Sequence, residues 1–142
     1  MNTVSYHRPP NNRLKEILQT TKTIAVVGLS DKPDRTSYQV SKAMQEAGYR
    51  IIPVNPSIDG SLGEKAYDSL LDINESFEII NVFRRSEHLP EIAKQAAQTK
   101  AKVFWAQQGI TNEQAYEYLK KHDFTVIMDT CIKVAHSVII KK

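Results

Sequence analysis

Between Gly28 and Tyr38 the chain reads Gly-Leu-Ser-Asp-Lys-Pro-Asp-Arg-Thr-Ser-Tyr, a concentration of groups able to grip an anion. Gly28 lets a backbone approach a ligand closely, Ser30 and Ser37 carry hydroxyls, and Lys32 and Arg35 supply positive charge. A helix opening near Thr36 would add unpaired N–H groups and the positive end of its dipole. Arg84-Arg85 and Lys133 are further cations, each lying just beyond an apolar run. Brought to one rim, these residues suit a ligand with several phosphate charges better than a neutral metabolite. Consecutive residues leaving a strand point opposite ways, so one of Arg84 and Arg85 is expected to face such a rim and the other to pack elsewhere.

Other chemistries find little support. His7, His88, His122 and His136 are scattered, and none joins a nucleophile and an acid in a spaced constellation. The single Cys131 excludes an intrachain disulfide and a Cys-only metal site, and reads as a small apolar residue beside the sheet. No paired carboxylates or metal-ligand spacing is visible, so neither catalytic nor metal-binding residues are expected. The chain has 142 residues, 41% of them hydrophobic and 25% charged, with a formal charge of +3. That describes one ordinary globular domain without the dense Lys/Arg clustering of a nucleic-acid binder. No apolar run approaches the roughly 20 residues that span a bilayer, and Met1–Asn12 has no signal-peptide core. A cytoplasmic protein is the expectation.

The elements that must position these groups alternate regularly. Met1–Asn12 is polar and holds Pro9-Pro10, which predicts an irregular arm, and Arg13–Gln19 predicts a short helix through Leu14, Ile17 and Leu18. Strands are expected at Ile24–Val27, Arg50–Val54, Phe77–Phe83, Ala101–Trp105 and Phe124–Met128. Helices are expected at Ser37–Ala47, ended by Gly48, at Leu89–Thr99 and at Asn112–His122. A turn-rich loop covers Ser57–Gly63, with a helical turn near Tyr67–Leu71. Near-continuous apolar strands separated by helices imply parallel pairing with both faces covered. The fold class is α/β: one Rossmann-like, doubly wound, parallel five-stranded sheet with expected order 3-2-1-4-5. Residues 1–22 form an N-terminal arm and helix, and 23–142 the nucleotide-binding domain.

In such sheets ligands bind beyond the carboxyl ends of the strands, where the order reverses. A nicotinamide dinucleotide fits this chain poorly. Ser30 stands in the second glycine slot of Gly-x-Gly-x-x-Gly, Pro33 in the third, and the second strand ends in Asn55-Pro56 without a carboxylate. An NAD(P)-linked oxidoreductase is the alternative, and an interaction subunit without a ligand a further one.

Several motifs together resemble the small stand-alone CoA-binding proteins, which are similar to the CoA-binding domain of the succinyl-CoA synthetase α subunit. They are Ile24-Ala-Val-Val-Gly-Leu-Ser with Arg35-Thr-Ser-Tyr38, Ile52-Pro-Val-Asn-Pro56, Val82-Phe-Arg-Arg-Ser-Glu87, Trp105-Ala-Gln-Gln-Gly109 and Met128-Asp-Thr-Cys-Ile-Lys133. The resemblance runs from about Thr23 to Val134. It departs from the family pattern at Thr130, often arginine there, and at Ala135, often glutamate. It implies a Rossmann-like domain that holds coenzyme A at the carboxyl edge of the sheet; with no catalytic constellation in the residues, a protein that binds coenzyme A or an acyl-CoA without catalysis of its own is the expectation. The positions the resemblance carries over are Gly28, Leu29, Ser30, Lys32, Arg35, Ser37 and Tyr38 around the phosphates, Asn55 and Pro56 near the nucleotide, and Phe83, Arg84 and Arg85 at the third strand. Coenzyme A carries about four negative charges at neutral pH, which matches the cations of the rim.

Overall fold

The computed structural model describes residues 6–140. The start of the expected arm, Met1–Ser5, lies outside the described residues. Five parallel strands form the sheet: β1 (Thr23–Val27), β2 (Arg50–Val54), β5 (Ile79–Val82), β6 (Val103–Ala106) and β7 (Thr125–Ile127). Two-residue strands β3 (Gly60–Ser61) and β4 (Glu64–Lys65) make a separate antiparallel hairpin. Its loop residues Leu62 and Gly63 both have positive φ, 57° and 79°, the signature of a turn whose twist matches that of the strands it joins.

Strand alternation divides the core in two. Ile24 and Val26 of β1, with Ile51, Ile79, Val103, Trp105 and Ile127, face one side. There they meet α1 (Asn11–Thr20), α2 (Thr36–Glu46) and α5 (Ile132–Ile139) through Leu14, Ile17, Leu18, Val40, Met44, Ile132 and Ala135. Ala25, Val27, Ile80, Val82, Phe104 and Val126 face the other side, against α3 (Leu89–Ala96) and α4 (Glu113–Lys121). Buried Leu and Ile side chains contribute roughly 1.5–3 kcal/mol each. Leu14, Ile17 and Leu18 are almost wholly enclosed, so α1 is an integral part of this core. Gly48, at φ 109°, ends α2 as expected: the Tyr49 and Gly48 amides donate to the carbonyls of Met44 and Gln45, closing the last turn.

The sheet order is β2-β1-β5-β6-β7. Counting sheet strands alone this is 2-1-3-4-5, which corrects the expected 3-2-1-4-5. The reason lies in residues 55–78, which contain no full crossover helix. Instead the chain returns along β2: the Tyr67 amide donates to the Pro53 carbonyl, and the Asn55 amide to that of Tyr67. That edge is thereby occupied, and the third sheet strand pairs on the far side of β1, from Ile24↔Ile79 to Val27↔Val82. The expected helical turn is a 3-10 turn at Leu70–Asp72. Arg50 locks the return segment by pairing with Glu64 at 3.0 Å and Glu75 at 2.7 Å.

The arm meets the opposite side of the sheet. Tyr6 stacks edge-on against Tyr116, ring centroids 5.3 Å apart, and its hydroxyl accepts the Met128 amide at 2.8 Å. The return segment thus occupies the outer edge of β2, and Tyr6 caps the first amide beyond β7. Helix α5 has no counterpart among the elements expected from the sequence. Its signal was Ile132, Ala135 and Ile139 at helical spacing.

Candidate functional site

Strand β1 feeds α2 on one face and β5 feeds α3 on the other. Between their carboxyl ends the chain therefore parts, leaving a concavity that no connection crosses. This crevice has a volume of about 450 Å³. Gly28, Asn55, Pro56 and Ser57 line it from the exits of β1 and β2, and Arg84 from the exit of β5. Asp68 and Ser69 close one wall, and His88, Glu91, Ile92 and Gln95 of the α3 segment another.

Gly28 is held by its amide, which donates to the Val54 carbonyl at 2.8 Å, and has φ 88°. A Cβ at this position would lie 2.7 Å from the Phe83 carbonyl oxygen and 3.1 Å from the Arg84 Cδ. Glycine is therefore required where the two strand exits meet, whatever the ligand. Leu29 is fully buried in the core, so only its backbone faces the loop. Ser30 and Ser37 stitch the loop together: the Ser37 hydroxyl accepts the Ser30 amide, and the Ser30 hydroxyl the Lys32 amide. Asn55 serves both strand exits, donating to the Leu29 carbonyl and accepting the Ser57 amide. Ser61 donates to the Ser30 carbonyl at 2.8 Å. The loop is consequently set in place from three directions, a preorganised cradle.

The cations do not all converge. Arg84 lines the crevice, while Arg85 lies 3.9 Å from Glu87 and lines a neighbouring hollow with Phe83. Lys32 and Arg35 are exposed on the loop and Tyr38 is half-buried, and none of the three lines the crevice. Lys133 is exposed on α5. Arg35 is the N-cap of α2 but its side chain makes no cap hydrogen bond, so the first amides of that helix have no partner from their cap residue.

Beyond β6 a polar network fixes the rest of the edge. Gln107 is buried, donates to Asn81 at 2.5 Å and accepts the Ile132 amide at 3.3 Å. This ties β5 and β6 to the start of α5. Trp105 is fully buried, its indole donating to the Thr130 carbonyl. Asp129, in the left-handed region at φ 53°, accepts the Gly109 amide at 2.6 Å.

Sequence reasoning missed Asp68, Ser69, His88, Glu91 and Gln95. Positions 88, 91, 92 and 95 form one helical stripe, a signal that was available; Asp68 and Ser69 gave none. A wider hollow of about 710 Å³ opens at the opposite, amino edge of the sheet. Its acids are already engaged: Glu78 accepts the Lys22 and Thr23 amides, and Glu75 pairs with Arg50. Arg50 hydrogen-bonds Glu75 and holds its carboxyl below the usual value. Among the described residues no group of three or more His, Cys, Asp or Glu is placed to hold a metal ion. None of the described helices is long and apolar enough to cross a membrane.

Comparison with known proteins adds a family and a fold. A family model described as a CoA binding domain matches residues 22–137. An uncharacterized protein of Bacillus subtilis (strain 168), YneT, is 63% identical over 130 residues, covering 92% of this chain and 96% of that one. The alpha subunit of acetate–CoA ligase [ADP-forming] I from Pyrococcus furiosus is 31% identical over 96 residues; these are 62% of this chain but only 20% of that subunit. Among solved structures, a hypothetical protein from Pyrococcus horikoshii OT3 superimposes with a TM-score of 0.90 at 32% identity, covering 96% of this chain and 99% of that one.

Proposed function

The chain belongs to the CoA-binding domain family, and from that premise we propose that it holds coenzyme A or an acyl-CoA in the crevice between β1, β2 and β5, without chemistry of its own. The observation that carries this reading is the meeting of Arg84 with the Gly28 turn at the point where the sheet changes direction. A guanidinium, a backbone open to close approach and a helix start lacking a side-chain cap together suit a diphosphate. In this assignment Gly28, Leu29 and Ser30 offer backbone, Ser37 and Tyr38 border the helix start, and Lys32 and Arg35 approach the outer phosphates from solvent. Asn55, Pro56, Phe83 and Arg85 shape the walls. Asp68 and Glu91 supply acceptors for the adenine amino group and the free ribose hydroxyl. A crevice of this size takes the nucleotide end of the molecule and leaves the pantetheine arm to run along the edge. The binding unit is residues 23–142, with 1–22 as its flank.

Titration calorimetry with coenzyme A, dephospho-CoA and NAD tests this. Coenzyme A should bind and NAD should not; NAD binding without a response to coenzyme A overturns the reading in favour of a nicotinamide-linked enzyme. Arg84→Met should weaken coenzyme A and dephospho-CoA alike, by roughly 10- to 100-fold, the worth of one charge-assisted hydrogen-bonding group. Arg35→Ala separates the phosphates: a loss confined to coenzyme A assigns it to the 3′-phosphate, and equal losses to the diphosphate.

A further inference from the structure

The carboxyl edge carries more than one concavity. The hollow lined by Phe83, Arg84, Gly109 and Ile110, about 430 Å³, shares Arg84 with the nucleotide crevice. Gln108, the neighbour of Gly109, then enters a third hollow of about 450 Å³ with Thr130, Cys131, Val134 and Val138. The three lie in succession over the ends of β5, β6 and β7, the last two meeting where Gln108 adjoins Gly109. The far end of this row is unlike its start. Val134 and Val138 are 55% and 70% exposed on the outer face of α5, side by side at a spacing of four residues.

Resting on the coenzyme A reading above, we propose that this far end is an acyl groove, and that the ligand is an acyl-CoA with a medium-length, unbranched, apolar chain. The lengths agree. Three strand spacings from β1, where Gly28 lies, to β7 amount to about 14 Å, and the pantetheine arm, as long as an extended peptide of four to five residues, reaches about 15 Å. With its diphosphate at Gly28 and Arg84, its sulfur arrives near Thr130 and Cys131. From Cys131 to Val138 the helix rises about 10 Å, close to the length of an extended eight-carbon chain. Past the thiol the α5 side of the hollow is therefore apolar for the distance an octanoyl group needs, while Arg8 and Asn11 of the N-terminal segment also line it. The polar side chains of Gln108 and Thr130 stand before that point, where the arm has amides to satisfy. Covering the two valines removes apolar surface from water, which makes each added methylene of the ligand favourable.

The experiment is calorimetry with coenzyme A, acetyl-CoA and octanoyl-CoA on the wild-type chain and on Val138→Asp. The substituted site is exposed, so the fold should persist; a melting curve verifies it. Each methylene should tighten binding about twofold, below the fourfold of full burial, so octanoyl-CoA should bind at least tenfold more tightly than acetyl-CoA. In Val138→Asp that advantage should vanish while coenzyme A binds as before. Equal affinity of the wild type for acetyl- and octanoyl-CoA overturns the groove, as does an advantage that survives Val138→Asp. A dimer that Val138→Asp dissociates, with no dependence on chain length, also overturns it and gives the valines to a second copy. Failure of coenzyme A and both thioesters alike strikes the earlier reading instead.

Discussion

Gly28 is fixed by its neighbours before any ligand is considered. Its φ of 88° is one that a side chain adopts only with strain, and its missing Cβ is where the Phe83 carbonyl sits. Gly28→Ala should therefore cost about 2–4 kcal/mol, from left-handed backbone and from parting two strand exits. The melting temperature should fall by roughly 5–15 °C. A variant that melts with the wild type would show the β1 and β5 exits to be slack. Arg84 is the opposite kind of residue. It is exposed, only its stem approaches Gly28, and its removal should alter affinity far more than stability. Its neighbour Arg85 stands beside Glu87, so two adjacent, chemically equal residues separate into a crevice cation and a surface ion pair.

Helix α5 is seated by contacts remote in sequence. Its first amide is received by Gln107, which also holds Asn81 in the middle of β5. All three groups are buried, so each needs its partner. Gln107→Leu leaves the Asn81 side chain and the Ile132 amide without their acceptor or donor, and should cost about 1–3 kcal/mol. Adding Asn81→Ala to Gln107→Leu should cost less than the sum of the two single losses, since the shared contact is already gone. Strict additivity in denaturant melts would show that the pair does not act as a unit. The hairpin β3–β4 works on the other flank. Ser61 donates to the Ser30 carbonyl, so a segment that sequence marks only as turn-rich helps to shape the loop between β1 and α2.

For the whole molecule, non-helical chain meets both sides of the sheet, the arm at the end of β7 and the return segment along β2. The Arg50–Glu75–Glu64 cluster fastens the second of these and gives stability a pH dependence. Glu75 is lowered from its ordinary value by its hydrogen bond to Arg50. A depressed carboxyl stabilises the fold fully above its unfolded pKa, and the contribution is lost as pH falls through the ordinary carboxylate range toward the folded value. Solvent reaches both side chains, so the worth is small, about 0.5 kcal/mol. Glu75→Gln should remove that increment at neutral pH and leave acid stability nearly unchanged; an equal loss at both pH values would assign it to packing. Much of this architecture was legible in the chain. Alternating apolar runs determined the strands and most helices, Gly48 the end of α2, and Gly28 the turn at the edge, because each is set by residues within one turn or strand of itself. The crevice was legible through Gly28, Asn55, Pro56 and Arg84 but not through Asp68 or Glu91. Only the tertiary structure decided the strand order, which of Arg84 and Arg85 faces the crevice, the burial of Gln107 and the seat of α5. Each of these is a competition between contacts more than ten residues apart, such as Tyr67 occupying the flank of β2 that a third strand would otherwise have taken.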